Sequence, residues 1–409
     1  MSEEILLARA YLNRVAEPAN IPLWDLVRTV GPEAAADLIR RGAADEDVTV
    51  AVSARAVSAD PHADLAAAER HGIRLLVPES DEWPHYGFAA LERTGLERVE
   101  QWHHGNKRHS ESGEEIPPLA LWAKGPLDAA ELSVRSVGIV GARAATEYGC
   151  MVAREFASAL ARMGFVVVSG GAYGVDAAAH FGALSGGGKT VAVSAGGLDR
   201  AYPSGHITLF GRIAESGLLL SESPPGSAPA RRRFLTRNRL IAALSTGTIL
   251  VEAASRSGAL NTINHATKLD RQTMAVPGPV TSRMSRGCHD VLARETNRAT
   301  LVTCMQDVVE LIGSSSDVNA PTRSVAVGAP ADDALRSRLD GVDEGSRRIF
   351  DGFPSTGSVS PDELIVLTGA SLGDVLGALP TLELARLIEQ SSDGFRIATG
   401  LQLKRGRAR

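Results

Sequence analysis

The sequence predicts an α/β protein. A mainly parallel sheet covered by helices on both faces follows a small helical domain and precedes a small domain of helices with a terminal wing. Three observations predict this. From about residue 118 to 310, short apolar runs alternate with helix-length segments, the pattern of repeated βαβ units. Several of those runs end in glycine, which lets a strand turn sharply into the next helix. The flanking segments lack the alternation and instead carry helix-start signals.

Residues 1–72 read as a helical domain. Ile5 to Leu12 starts one helix, and Pro22 to Arg28 and Gly31-Pro32-Glu33 to Arg40 supply others, with Pro32 in a first helical turn. From 73 the pattern changes. Ile73-Arg74-Leu75-Leu76-Val77-Pro78 is a short strand, and a helix follows around Gly87 to Arg93. Residues 101–117 read as an exposed loop. Its His103, His104 and His109 have no Cys or Asp partners at ligand spacing, so no metal is expected there.

The main domain, 73–312, places strands at 119–122, 136–140, 166–169, 190–193, 218–221, 248–251 and 272–276. Ligands of such sheets bind beyond the C-terminal strand ends. Residues 313–342 form a linker, because Gly313-Ser314-Ser315-Ser316 and the scattered Pro, Ala and Asp after it cannot support a core. In the last domain, 343–409, Arg347 to Phe350 lies on one helix. Ser360-Pro361 caps and opens a second, Ser371 caps a third, and Glu383 to Gln390 makes a further helix. Gly394 to Ala398 is a strand, so the domain reads as winged-helix-like, ending in the basic tail Lys404 to Arg409.

Composition narrows the function. The 409 residues carry a net charge of -5, 44% hydrophobic residues and only 4% aromatics. The low aromatic content predicts weak base stacking. Cys150, Cys288 and Cys304 are widely spaced and odd in number, which excludes a disulfide framework and fits a reducing cytoplasm. No apolar run reaches the roughly 20 residues of a membrane span. Neither a leader nor a membrane partner is expected.

Against this acidic background, Arg231-Arg232-Arg233-Phe234-Leu235-Thr236-Arg237-Asn238-Arg239 packs five arginines into nine residues. Guanidinium groups match phosphate geometry and stay charged at any working pH. Three strand ends run into glycine turns: Gly141-Ala142-Arg143, Gly170-Gly171-Ala172-Tyr173-Gly174, and Ala195-Gly196-Gly197. Such turns bring backbone N–H groups and helix N-termini to an anion. The first two turns miss the phase of a dinucleotide fingerprint. Gly186-Gly187-Gly188-Lys189-Thr190 fails as a P-loop, since residue 183 is Ala and the run precedes a strand. Glu252 has no nucleophile–base pair beside it and reads as a turn-shaping carboxylate, and His180 reads as a packed helix residue. No catalytic residue, cofactor or metal is expected.

The motifs Gly141-Ala142-Arg143, Ser169-Gly170-Gly171-x-x-Gly174-Val175-Asp176, Ala201-Tyr202-Pro203, Arg237-Asn238-Arg239-x-Ile241-Ala242, Val251-Glu252-Ala253, Ser257-Gly258-Ala259-Leu260 and Ala275-Val276-Pro277-Gly278 occur in that order. Together they resemble the DprA/Smf family over residues 75 to 312. The resemblance implies an extended Rossmann-like sheet that binds single-stranded DNA, acts as a homodimer and loads RecA in natural transformation. It implies a DNA site built from Gly141, Arg143, Gly170, Gly171, Arg233, Arg237, Asn238, Arg239, Ser257 and Gly258. The competing expectation is a nucleotide phosphoribohydrolase on a related fold, using Gly247, Thr248 and Glu252. A third is a duplex-binding regulator acting through the C-terminal domain.

Overall fold

Valine- and leucine-rich runs bounded by turns become the centre of one sheet. A computed structural model of the chain describes residues 2–105, 115–133, 135–293, 299–313, 342–350, 352–354, 357–391 and 394–398. Two units divide the chain, Met1–Asn319 and Ala320–Arg409. In the first unit the strands are β1 (Arg74–Leu76), β2 (Leu121–Lys124), β3 (Ser136–Val140), β4 (Val166–Ser169), β5 (Thr190–Ser194), β6 (Leu218–Ser221), β7 (Gly247–Leu250), β8 (Gln272–Ala275) and β9 (Thr300–Leu301). Their order across the sheet is β1-β2-β6-β5-β4-β3-β7-β8-β9.

From β6 to β9 every pairing is parallel, whereas β1 and β2 join antiparallel at the β6 edge. The mainly parallel α/β sheet expected from the sequence is therefore present. The chain winds outward from β3 to β6 and then returns to lay β7 beside β3. The winding reverses at that junction, and a crevice opens there beyond the strand ends. Both faces are covered, which is why the strands read as continuous apolar runs. Val140, Val168, Val193 and Leu250 pack with the helix Arg231–Ala243 on one side. Val137, Ile139, Val167 and Ile249 pack with the helices Glu147–Arg162 and Val175–Ser185 on the other.

The helices of residues 1–72 share this unit. Ser2, Asn20 and Asp60 cap three of them by accepting from Ile5, Leu23 and Ala63 amides. Asn13 ties the first helix to the sheet. Its Nδ2 donates to Glu222 O at 2.8 Å, and its Oδ1 accepts from Trp122 Nε1 at 2.8 Å.

Two buried groups lock the sheet to its helices. Arg239 is fully enclosed and forms a fork on Glu222, with both Nη–Oε distances 2.7 Å, while its Nε donates to Ile116 O. His180 Nδ1 lies 2.7 Å from Thr190 Oγ1, which itself donates to Val167 O. Burial, aided by the charges of His206 and Arg237, holds the His180 pKa down to about 3.

In the second unit the helices Glu344–Phe350, Pro361–Thr368 and Leu372–Leu384 enclose Ile349, Leu364, Val375 and Leu382. Ser360 and Ser371 cap as expected, each with a reciprocal carboxylate. The helix expected over Glu383 to Gln390 does not form. The chain leaves the helix at Leu384, and β10 (Ile388–Ser391) pairs antiparallel with β11 (Gly394–Ile397). The physical reason is the wing itself, since β11 alone would leave its backbone groups unpaired.

Other boundaries shift as well. The helix expected near 87–93 spans His85–His103, taking the first residues of the expected loop, and Glu115 and Ile116 are buried. His109, most of the 313–342 linker and the tail Lys404 to Arg409 lie outside the described residues.

Two predictions test these locks. Glu222→Ala strands the Arg239 guanidinium in the interior and lowers stability by about 3–5 kcal/mol in urea unfolding, whereas the Glu222→Ala/Arg239→Met double variant loses much less. Between pH 6.5 and 3 the unfolded chain protonates His180 and the folded chain does not, so stability falls as pH falls through that window. His180→Gln flattens the profile by up to about 1.4 kcal/mol per pH unit.

Candidate nucleic-acid interface

At the β3–β7 junction the strand ends open into a cavity of about 440 Å³. Gly141 and Arg143 reach it from the turn after β3, Arg256, Ser257 and Gly258 from the loop after β7, and Arg237 and Asn238 from the helix Arg231–Ala243. Six of the ten residues expected at the DNA site therefore meet at one place, Gly141, Arg143, Arg237, Asn238, Ser257 and Gly258. Arg143 and Arg237 share a single aromatic ring. Their guanidinium carbons lie 5.0 and 6.0 Å from the Phe234 centroid, within cation–π range.

Arg237 is the floor of the site. Its Nη1 donates to Gly170 O at 2.8 Å and to Val193 O, and its Nε has no acceptor among the described residues. Burial lowers its pKa to about 10, with Asp176 opposing and Arg143 adding to the shift, so it stays charged near neutrality. Asp176 is pushed the other way, raised by burial against the pull of Arg237. The two side chains flank Gly170, where a Cβ would lie 2.6 Å from Arg237 Nη1 and 2.7 Å from Asp176 Oδ2. Gly170 thus lies beneath the cavity as packing rather than on its wall.

The other three expected residues are placed elsewhere. Arg239 is buried on Glu222 and presents nothing to a ligand, which removes it from the site. Arg233 donates Nε and Nη2 to Glu17 at 2.8 Å each, which pins the arginine helix to the N-terminal helices. Burial alone would raise Glu17, but the bonds from Arg233 and Arg55 outweigh it and hold the carboxyl at about 2. Gly171 turns away with φ +69 and packs against the Phe210 ring.

The glycine turns serve the fold more than an anion. Ala142 N donates to Glu252 O at 2.7 Å, Val175 N to Ala142 O at 3.2 Å, and Gly197 N to Ser227 O at 2.9 Å. Glu252 accepts from Thr146 N at 2.8 Å and from Thr146 Oγ1 at 2.7 Å. Its carboxylate thereby occupies the N-terminus of the helix Glu147–Arg162, where the sequence suggested an anion could dock. The open helix end is instead Ala259–Lys268, whose N-cap Gly258 has open space where a Cβ would stand. Asn238 holds this end to the arginine helix through Gly258 O and Asn261 Oδ1.

The cavity wall therefore sets Arg143, Arg237 and Arg256, with the buried Asp176, around one helix N-terminus on an otherwise largely apolar lining. Arg143 and Arg256 are exposed, and neither forms an ion pair among the described residues. Exposed Arg231 and Arg232 stand at the positive end of their helix, with no acidic residue in its first turn. That placement costs about 0.3–1 kcal/mol per cation, and a bound anion relieves it.

Sequence reasoning missed Arg256. The signal was there, since a cation precedes the Ser257-Gly258 helix start at a strand end. It also undervalued the aromatics. Tyr202, 49% exposed, packs on Phe234 at 5.6 Å, so a chain poor in rings has gathered two of them beside the cations.

Comparison with known proteins accords with this geometry. Residues 103–313 match the family model for DNA recombination-mediator protein A, and residues 330–394 match the DprA winged helix domain. A Mycobacterium tuberculosis protein named as a DNA processing protein DprA is 44% identical over 392 residues, covering 95% of this chain and 94% of its own. The solved DNA processing protein A of Streptococcus pneumoniae has 28% identity and a TM-score of 0.57, covering 76% of this chain and 98% of that one. That of Helicobacter pylori, solved for its single-stranded DNA binding mode, has 32% identity and a TM-score of 0.43, covering 47% of this chain and 86% of that one. With a winged-helix domain following a cation-lined α/β sheet, this chain belongs to the DprA/Smf family of DNA-processing, recombination-mediator proteins.

Proposed function

We propose that the chain binds single-stranded DNA in the cavity at the β3–β7 junction, protects the strand and loads RecA onto it, as a cytoplasmic homodimer. One observation supports the strand reading above all. Arg143 and Arg237 converge on one ring beside Arg256 and an open helix N-terminus. Several cations spread over a wide mouth suit successive phosphates better than one mononucleotide, and adjacent rings suit unpaired bases.

The phosphoribohydrolase reading needs a free carboxylate at the cavity. Glu252 is 2% exposed, lies off the cavity lining and has both carboxylate oxygens engaged by Thr146, and the carboxylate that does line the cavity, Asp176, is buried beside Arg237. The duplex-reader reading needs cations on the winged-helix helices. Leu372–Leu384 carries Asp374 and Glu383 and no Lys or Arg, although Glu344–Phe350 carries Arg347 and Arg348. The convergence of Arg143, Arg237 and Arg256 on one cavity favours the sheet unit as the main DNA site.

Salt titration tests this. Arg143→Ala and Arg256→Ala each weaken binding to an oligothymidylate about ten-fold. Each also reduces the slope of log affinity against log salt by about one. Arg41→Ala, an exposed arginine on the N-terminal helices, changes neither. Equal affinity and slope in all three variants would overturn the assignment.

A further inference from the structure

The helices Pro361–Thr368 and Leu372–Leu384 are bent by 111° across the turn Gly369-Ala370-Ser371, with Gly369 left-handed at φ +66. This is helix-turn-helix geometry, in which the second helix ordinarily enters a DNA groove. Here the outer face of that helix is apolar. We propose that it docks a helix of a partner protein, one with an apolar ridge and Lys or Arg on its flanks. Strand binding at the β3–β7 junction neither requires nor excludes this contact.

Leu372, Leu376 and Leu384 are 52, 51 and 88% exposed. With Gly373, Gly377 and Pro380 they fall within one arc of about 140° on the helix. Glu383 is the one charged residue of that arc. The opposite arc, with Val375, Ala378, Leu379 and Leu382, supplies the core of the unit. A helix that is apolar all round is ordinarily buried all round, and this one is covered on one side alone. Scattered exposed leucines are common on protein surfaces, whereas a contiguous apolar face marks a contact.

The shape of the face suits a helix. Leu372, Leu376 and Pro380 follow one another at four-residue steps and form a ridge, with Gly373 and Gly377 as a furrow beside it. A Cβ at Gly377 would meet nothing within 4 Å, and one at Gly373 only Ser371 Oγ at 3.8 Å. Packing inside the unit therefore does not require these glycines, although each costs the helix about 1 kcal/mol relative to alanine. A furrow without side chains accepts the ridge of a second helix at close range.

Charge decides which helix. Asp374 stands beside the furrow and Glu383 at the end of the ridge, while the preceding helix adds exposed Asp362 and Glu363. Neither helix carries Lys or Arg; the cations described in this unit, Arg347, Arg348, Arg386 and Arg396, lie on other elements. Acidic margins repel phosphate and anionic lipid, and would oppose the same margins on a second copy, but they match a cationic flank.

The probe is a fluorescent amphipathic peptide of leucine and lysine, its leucines at helical spacing, titrated with the intact chain. One control replaces lysine with glutamate in the same pattern, and another scrambles the leucine–lysine order. The wild type binds the patterned leucine–lysine peptide at least about ten-fold more tightly than either control. Leu376→Gln removes the ridge and Gly377→Leu fills the furrow. Each weakens binding about ten-fold, the effect of one leucine left unburied, with the thermal unfolding midpoint no lower than that of the wild type. Should either variant unfold, Leu384→Gln takes its place with the same expectation.

No binding by the wild type, equal binding of the scrambled peptide, or wild-type binding by the folded variants overturns the inference. If the same variants instead abolish binding to phosphatidylglycerol vesicles, or self-association in sedimentation, and leave peptide binding unchanged, the face belongs to a membrane or to a second copy and the inference is overturned as well.

Discussion

A guanidinium leaves water only where carboxylates or carbonyls replace its hydration. The helix Arg231–Ala243 meets that constraint at three successive depths. Arg239 at the base forks onto Glu222 after β6, Arg237 in the middle caps the carbonyls of Gly170 and Val193 with Asp176 nearby, and Arg233 near the top takes Glu17 from the N-terminal helices. Each pairing fastens the helix to a different element. Together they fix its angle across the strand ends and leave Arg231 and Arg232 exposed at its tip. The positions of Phe234, Asn238 and the cavity mouth follow from that placement.

The same constraint separates structural charge from available charge. A cation answered by a carboxylate inside the fold adds little field outside it, whereas one without a partner attracts phosphate. Arg239 and Arg233 belong to the first kind, and Arg143 and Arg256 to the second. Arg237 is intermediate, held by carbonyls yet lining the cavity. The glycines take part indirectly. They let the β3, β4 and β7 loops approach closely enough for backbone groups to bond one another, as the Ala142–Glu252 and Val175–Ala142 contacts show. Recognition then falls to side chains mounted on a rigid floor. That arrangement suits a flexible strand whose phosphates need not adopt a single geometry.

How much of this was legible depended on whether a residue's role was local. Strands β3, β4 and β6 match their expected bounds residue for residue, because apolar runs ending at turns are local signals. The two-residue β9 has no pattern to read. The wing strand β10 carries a helix-like local pattern, and its partner β11 decides its conformation. Arg143, Arg237 and Gly258 were legible as a phosphate set, but the turns' amides were not legible as already engaged, since Glu252 and Ser227 come from distant loops. Arg239 could have been excluded from its phase. Arg239 falls one turn before Ala242 and Ala243, on the part of the helix that enters the core. Overall aromatic content does not say where the rings stand, so the Tyr202–Phe234 pair was not legible from it.

If guanidinium groups from three distant segments converge to hold phosphates, a crystal structure of the chain with a short oligothymidylate will show it. Phosphate oxygens are expected within hydrogen-bond distance of Arg143 and Arg237, with the strand passing the N-terminus of the helix Ala259–Lys268. A strand bound on the winged-helix unit, or along the opposite ends of the strands, would contradict it.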